Sequence, residues 1–414
     1  MSGTGIARRT IVIAGGGPVG LSVASLLGLS PRADDLDIRL FEPREAPVWE
    51  ADRVDLRVYA LSRASQIVLE NLGSWAAVHA ARAAPYRRMH VWQGECGARL
   101  GSLTFDSAEV GEPDLGHIVE DSLLRTRLTN VSHQAGVELT FGVELTAVEV
   151  RDRSVEITTS EGETLSAVAL IAADGSGSTV RKLLKLPISS VSYAQRALVT
   201  HVSTERPHGD TAWQRFLPNG PLAFLPLSDG RSSVVWSAGA EHAEALCALP
   251  DGEFQDALQE ASGGVLGEIG AAVERVSFPL RAAHARQYCC PRVALVGDAA
   301  HTVHPLAGQG MNLGLLDAAV LAEVLLRAQA EGEDFGDLRV LRRYERQRKG
   351  DNLGMLLALD ALHRLFGISG SVVPSLRAIG LSTIDATPFA KAMLMRQALG
   401  LRGELPAAAK RRVA

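Results

Sequence analysis

With 414 residues, 46% of them hydrophobic, the chain exceeds the usual single-domain range and has ample material for a large core, so two closely packed domains are expected. Its 42 basic and 47 acidic residues leave a formal charge of −5, which supplies no basic footprint and excludes nucleic acid as an expected partner. The four cysteines, Cys96, Cys247, Cys289 and Cys290, lack a C-x-x-C spacing and read as thiols in a reducing, cytoplasmic compartment rather than as a metal site.

Arg8 and Arg9 precede an apolar run that Gly15-Gly16-Gly17-Pro18 breaks at once, so it is neither a signal peptide nor a membrane span. Ile11-Val12-Ile13-Ala14 reads as a strand, and Gly15-Gly16-Gly17-Pro18-Val19-Gly20 as the turn into a helix. Gly15 permits the tight turn, Gly17 lets backbone approach a pyrophosphate, and Gly20 lets helix and strand pack closely. Pro18 and Val19 open the helix, whose N-terminus receives the phosphate. About 22 residues beyond Gly20, a second strand, Ile38 to Phe41, ends in Glu42, the acid expected to hold an adenosine ribose. Strand, turn, helix, strand and acid agree, which separates this motif from a glycine turn of purely structural origin.

Arg53 and Arg57 precede a helical pattern running from Ala60-Leu61-Ser62 to Leu72; they suit phosphate or flavin, with solvated surface positions as the alternative. Residues 75–116 read as strands. A helix is expected over Asp121–Gln134, with Arg125 on it as a further cofactor contact. Strands follow at Glu144–Val150, Val155–Thr159 and Leu165–Ile171, the last delivering Ala173-Asp174-Gly175 to a turn. Between Ser189 and Leu280 the texture is that of a mostly antiparallel sheet, with strands at Ala197–Val202, Ala212–Leu217, Leu222–Leu227 and Ser233–Ser237.

Later, Val293 to Val296 forms a buried strand leading into Gly297-Asp298, and Gly308-Gln309-Gly310-Met311-Asn312 opens a long helix striped by Leu313, Leu316, Val320, Leu321 and Val324. A polyhydroxylated ribityl chain needs an acceptor such as Asp298, and a flat ring with developing negative charge favours amides at a helix N-terminus. Gly308 and Gly310 allow close approach. A nicotinamide-only dehydrogenase has no use for this second element, so FAD is the expected resident cofactor; for Asp298 alone the alternative is a helix cap. His301 and His304 lack partner ligands at metal spacing, so no metal is expected. The basic run Arg339–Lys349, with Arg342, Arg343, Arg346, Arg348 and Lys349, reads as a solvated helix face, with attraction to anionic lipid or a partner as the alternative.

Three motifs together, Gly15-x-Gly17-x-x-Gly20, Asp174-Gly175-x-x-Ser178-x-x-Arg181, and Gly297-Asp298 with its extension from Pro305 to Asn312, resemble those of the group A flavoprotein aromatic hydroxylases, which share the p-hydroxybenzoate hydroxylase fold. The stretches Gly220 to Gly230, His301 to Gly314 and Met395 to Leu401 are similar, more closely, to the ubiquinone-biosynthesis hydroxylases of bacteria and eukaryotes, over nearly the whole chain. The resemblance implies an α/β protein: a Rossmann-like FAD-binding domain over 1–75, 117–188 and 288–365, a β-rich, mostly antiparallel substrate domain over 76–116 and 189–287, and a helical C-terminus over 366–414. Asp174, Gly175 and Arg181 are implied for FAD and NAD(P)H, Arg57 and Pro305 for the flavin. Many relatives carry Asn where His304 stands.

The implied activity is FAD-dependent ring hydroxylation of a polyprenylated phenol with O2 and NADH or NADPH, through a flavin C4a-hydroperoxide. Positioning the ring and keeping the site dry are then the protein's tasks, and no catalytic acid or base is assigned. Other readings are hydroxylation or epoxidation of another aromatic compound, or a flavin-holding structural subunit of a biosynthetic complex. The apolar tail of the implied substrate, with the apolar pattern Leu356-Leu357-Ala358-Leu359 and Leu362, suggests peripheral contact with the inner membrane or with other ubiquinone-synthesis proteins. The plainer alternative is packing of these residues on the FAD domain.

Overall fold

The computed structural model describes residues 8–94, 101–304, 308–368, 373–401 and 403–411. Its organising element is a six-stranded sheet in the order 289–290, 293–295, 169–172, 9–14, 36–42, 138–141, parallel except for the short first strand. Ile11, Val12 and Ile13 are fully buried, as a continuous apolar strand in a sheet covered on both faces requires. Ile11 aligns with Ile38 on one side and Ala169 on the other, so the strands end together. Residues 15–17, Glu42, Asp174 and Gly297-Asp298 are therefore delivered to one carboxyl edge, where open α/β sheets bind ligands.

The expected strand Leu165–Ile171 is two strands. Thr164–Ala167 closes an antiparallel meander with Leu145–Val150 and Val155–Thr159, and Ala169–Ala172 enters the parallel sheet. Both pieces are apolar enough to read as one run, which hid the break at Val168.

A second sheet runs 301–302, 276–285, 188–204, 232–239, 220–226, 211–217, 88–93, 102–106, with 269–272 also paired to 188–204. Its neighbours are antiparallel except Thr211–Leu217 against Arg88–Gln93. The four strands expected between 189 and 280 are all in it. Residues 75–116 depart from the expectation: Trp75–Arg82 is a helix burying Trp75 and Val78 at i, i+3 spacing, and Ala83–Tyr86 joins a separate small sheet with Gly116–Glu120 and Val58–Leu61.

The helix expected over Asp121–Gln134 has those bounds, and the long helix with the apolar stripe covers Gln309–Glu331. Helices at Leu338–Gly367, Val373–Asp385 and Pro388–Ala398 follow. In the basic run Arg348 is buried, not solvated, and the others are largely paired: Arg339 with Asp337, Arg343 with Glu333, Lys349 with Glu345. That pairing lowers the free positive charge on which the lipid alternative rested, while among the described residues Arg342 and Arg346 form no ion pair.

Gly15 adopts φ +109, and a Cβ on it would lie 2.4 Å from the Ala173 carbonyl oxygen. A Cβ on Gly20 would lie 2.0 Å from the Gly15 carbonyl oxygen, which is the close helix–strand contact expected of that position. Gly20→Ala should therefore cost about 1–3 kcal/mol of stability, read as a lowered urea midpoint; an unchanged midpoint would contradict the contact.

Candidate functional site

At the sheet edge, Glu42 is almost wholly buried; its Oε2 accepts from the Gly16 amide at 2.6 Å and its Oε1 from Arg44 Nε at 2.6 Å. Burial alone would raise this carboxyl, but Arg44 and the amide outweigh it and hold Glu42 ionised below its ordinary value. A Cβ on Gly17 would meet nothing within 4 Å, so the turn faces open space. Helix Pro18–Gly28 begins there with no side-chain cap on its amides. Above the turn Arg125 Nε donates to the Gly16 carbonyl at 3.3 Å, while its buried Nη2 has no partner among the described residues. An unpaired guanidinium nitrogen beside uncapped helix amides fits a phosphate. Val19 fills a different role: a Cβ on Gly297 or Gly314 would come within 3.3 or 2.7 Å of its methyls, so it locks the first turn against the second.

The second cluster surrounds Asp298. Its carboxylate makes no side-chain hydrogen bond among the described residues, and burial raises it above its ordinary value against the pull of His301, Arg57 and Arg281. Arg57 is solvent-accessible yet crowded by protein, as a side chain lining a concave cleft is. Burial lowers its basicity, but Tyr59, Asp121 and Asp298 reverse that. Its guanidinium lies 5.4 Å from the Tyr59 ring centroid, and Tyr59 donates its hydroxyl to Asp121 at 2.5 Å.

Asp174 uses Oδ2 to accept from the Val180 amide at 3.0 Å, and its buried Oδ1 has no partner among the described residues. Gly175 has φ +78 with open space before it. Arg181 instead clamps loops, donating to the carbonyls of Ala299 and Ser176, both at 2.7 Å. Gly308 caps the long helix in the left-handed region at φ +61, and a Cβ on Gly310 would sit 3.9 Å from Asp298 Oδ1. Met311 packs against the core. Asn312 is committed to protein: its Oδ1 accepts from the Ser62 amide and Ser65 hydroxyl, and its Nδ2 donates to Ala60 O. Its amide side chain thus fixes the helix start against residues 60–65. Pro305 lies outside the described residues.

Sequence reasoning missed the centre of this arrangement. Asp317, fully buried on the long helix, accepts from the Gly297 amide and from His301 Nε2 (2.5 Å) on Oδ2, and from Arg348 Nε (2.7 Å) and Asn352 Nδ2 (3.0 Å) on Oδ1. Burial would raise it, but His301 and Arg348 outweigh that and hold it well below the usual carboxylate range. A signal existed: one acid inside an apolar stripe, and Leu341, Tyr344, Arg348 and Asn352 at helical spacing. His301 thus serves Asp317, while the His304 ring packs against Tyr193 and His363. Among the described residues no group of three or more His, Cys, Asp or Glu is placed to hold a metal.

Two uncapped, glycine-led helix starts and the orphaned Arg125 and Asp174 atoms, on one edge with Glu42 and Asp298, fit FAD. The fold and this edge define an FAD-binding protein. Residues 8–350 match the family described as FAD binding domain. The chain is 36% identical over 394 residues to the 3-demethoxyubiquinol 3-hydroxylase of Escherichia coli (strain K12), covering 94% of this chain and 98% of the relative. It is 35% identical over 432 residues to the mitochondrial ubiquinone biosynthesis monooxygenase COQ6 of Homo sapiens, covering 93% and 91%. The structure of p-nitrophenol 4-monooxygenase PnpA from Pseudomonas putida DLL-E4 shares the fold, with a TM-score of 0.76 at 19% identity over 95% of this chain and 98% of that one. The chain belongs to the ubiquinone-biosynthesis FAD-dependent hydroxylases, and FAD is its cofactor.

Asp298→Ala should weaken FAD binding by about 1.5–3 kcal/mol through loss of a charge-assisted hydrogen bond. Titration of the apoprotein with FAD reads this, and unchanged affinity would remove Asp298 from the site.

Proposed function

We propose that this protein hydroxylates the ring of a polyprenylated phenol in ubiquinone biosynthesis, using NADH or NADPH and O2. The observation that carries the reading is similarity at 36% identity to a 3-demethoxyubiquinol 3-hydroxylase along almost the full length of both chains. Bound FAD supplies electron transfer from the nicotinamide and activation of O2. Gly15, Gly17 and Gly20, with Pro18 and the Arg125 guanidinium, hold the pyrophosphate; Glu42 takes the adenosine ribose; Asp298, beside Gly297, takes the ribityl chain. Arg57 faces the flavin from the open cleft, and Gly308, Gly310, Met311 and Asn312 present the start of the long helix to its ring. Asp174 and Gly175 serve FAD and the nicotinamide, with Arg181 holding their loop in place.

In this reading residues 1–75, 117–188 and 288–365 form the FAD-binding domain and 76–116 with 189–287 the substrate domain. Membership of Arg88–Gln93 and Ser102–Asp106 in the large sheet supports the division, while the small sheet of 58–61, 83–86 and 116–120 straddles it.

An apolar substrate calls for contact with a membrane or a lipid-carrying partner. Among the described residues no helix is long and apolar enough to cross a membrane. Leu359 is buried and Leu356 packs against the same cluster, as the packing alternative has it, while Leu357 (56%), Leu376 (61%), Ile379 (55%) and Phe389 (83%) of the C-terminal helices are exposed. Peripheral association at the inner membrane follows, and flotation with liposomes tests it: Leu357→Glu with Phe389→Glu should abolish co-flotation, and a wild type that never floats contradicts it.

For the reaction, product formed per NAD(P)H consumed should approach one with a prenylated phenol under O2. Release of peroxide alone with every prenylphenol tried would contradict the substrate class, and failure of either nucleotide to reduce the flavin would contradict the activity.

A further inference from the structure

Between strand Leu36–Glu42 and strand Val58–Leu61 the chain runs through residues 43–57 without helix or strand. Segments of that length with no regular structure are uncommon inside a compact domain and often serve as lids. This one starts at Glu42 and ends at Arg57, beside Asp298. In the reading above those are the adenosine and flavin ends of the cofactor, so the segment spans its length as a strap. Midway it crosses helix Asp121–Gln134: the Thr126 hydroxyl donates to the Pro47 carbonyl at 3.2 Å, one residue along from the Arg125 given to the pyrophosphate.

The strap is pinned by groups to which no part of the cofactor is given. Trp49 is half-buried against the main core, and the guanidinium groups of Arg82 and Arg127 lie 5.3 and 5.7 Å from its ring. Arg82 also donates to the carbonyls of Arg53 (3.2 Å) and Ala51, and its Nε lies 3.4 Å from the buried carboxylate of Glu120. Glu120 Oε2 in turn accepts from the Asp55 amide at 2.8 Å. At its far end the strap caps the helix it crosses. Glu120, the residue before that helix, supplies no side-chain cap to it; Asp55 Oδ2 instead accepts from the Ser122 amide at 2.7 Å, and the Arg57 carbonyl from the Asp121 amide at 3.0 Å. Val54 packs with Ala84, Ile118 and Leu227.

We propose that residues 43–57 are the gate through which FAD enters and leaves, latched by Trp49 against Arg82 and Arg127 and by Asp55 against Glu120. Each latch contact joins protein to protein, so the latch holds whether or not the cofactor is bound. Opening is then required on entry as well as on exit, and it limits both. A weakened latch speeds both steps and leaves the affinity, which is their ratio, nearly constant. The ends of the strap differ, because Glu42 and Arg57 are given contacts to the cofactor itself. The consequence for the enzyme is a cofactor retained through turnover and exchanged only when the strap lifts. The gate rests on the FAD placement proposed above and adds the route of exchange and the residues that control its rate.

The test follows flavin fluorescence as FAD-loaded protein loses its cofactor to an excess of an apo-flavoprotein trap, and as apoprotein takes FAD up. The variants are Trp49→Leu, which keeps apolar bulk, and Arg82→Met, which keeps the apolar stem, with circular dichroism confirming that each is folded. Each should speed release and uptake at least about tenfold, the scale of losing two or three contacts of this kind, while affinity moves less than about threefold. Unchanged release in both folded variants overturns the gate. Faster release without faster uptake overturns it too, since loosening of the fold alone would produce that pattern. The FAD placement is read separately from Asp298→Ala: unchanged affinity there, with both rates raised in the latch variants, supports the gate and contradicts the flavin end assigned to it.

Discussion

A single buried carboxylate holds the cofactor edge together. Asp317 has no access to water, so its charge is tolerable only because His301, Arg348, Asn352 and the Gly297 amide all point at it. These groups come from the turn after strand Val293–Leu295, the short strand His301–Thr302, and helix Leu338–Gly367. Removing one partner would leave a charge exposed to a low-dielectric core, at a cost of about 3–5 kcal/mol. The arrangement therefore has one good geometry, and that geometry fixes the turn bearing Asp298. Val19 and Arg181 extend the constraint, one locking the first glycine turn to Gly297 and the other bridging residues 176 and 299.

With the backbone so fixed, polar groups beyond it can be left unsatisfied by protein. Among the described residues Arg125 Nη2 and Asp174 Oδ1 are buried without partners, and Asp298 is raised by burial beside an accessible Arg57. Within the core such groups would be destabilising; along the carboxyl edge of a parallel sheet they fit the proposed contacts to phosphate, ribose and ribityl hydroxyls. Glu42 differs, since Gly16 and Arg44 already occupy it, and it helps to shape the turn whether or not a ribose is present.

What the sequence made legible was local. Gly15, Gly17 and Gly20 follow a strand within a few residues, Glu42 ends the next, and Asp298 follows a third, so their shared edge could be read from strand ends alone. Two features were not legible because they depend on distant contacts. Arg348 sits within a basic run that looks solvated, and only its pairing with Asp317, 31 residues away, shows it to be interior. Asn312 belongs to the flavin motif, yet its amide is used to tie residues 60–65 to the long helix. Helix Trp75–Arg82 was legible and was missed: four of its eight residues are alanine, and its buried Trp75 and Val78 fall at helical spacing.

The central claim, that Asp317 orders the cofactor turn without touching the cofactor, is tested most directly by FAD titration of apo Asp317→Asn, with circular dichroism confirming that the variant is folded. The account predicts FAD affinity weakened at least about tenfold, equivalent to about 1.4 kcal/mol, and an altered flavin absorption envelope in the folded variant. A folded variant that binds FAD as wild type does, with an unchanged spectrum, would contradict it.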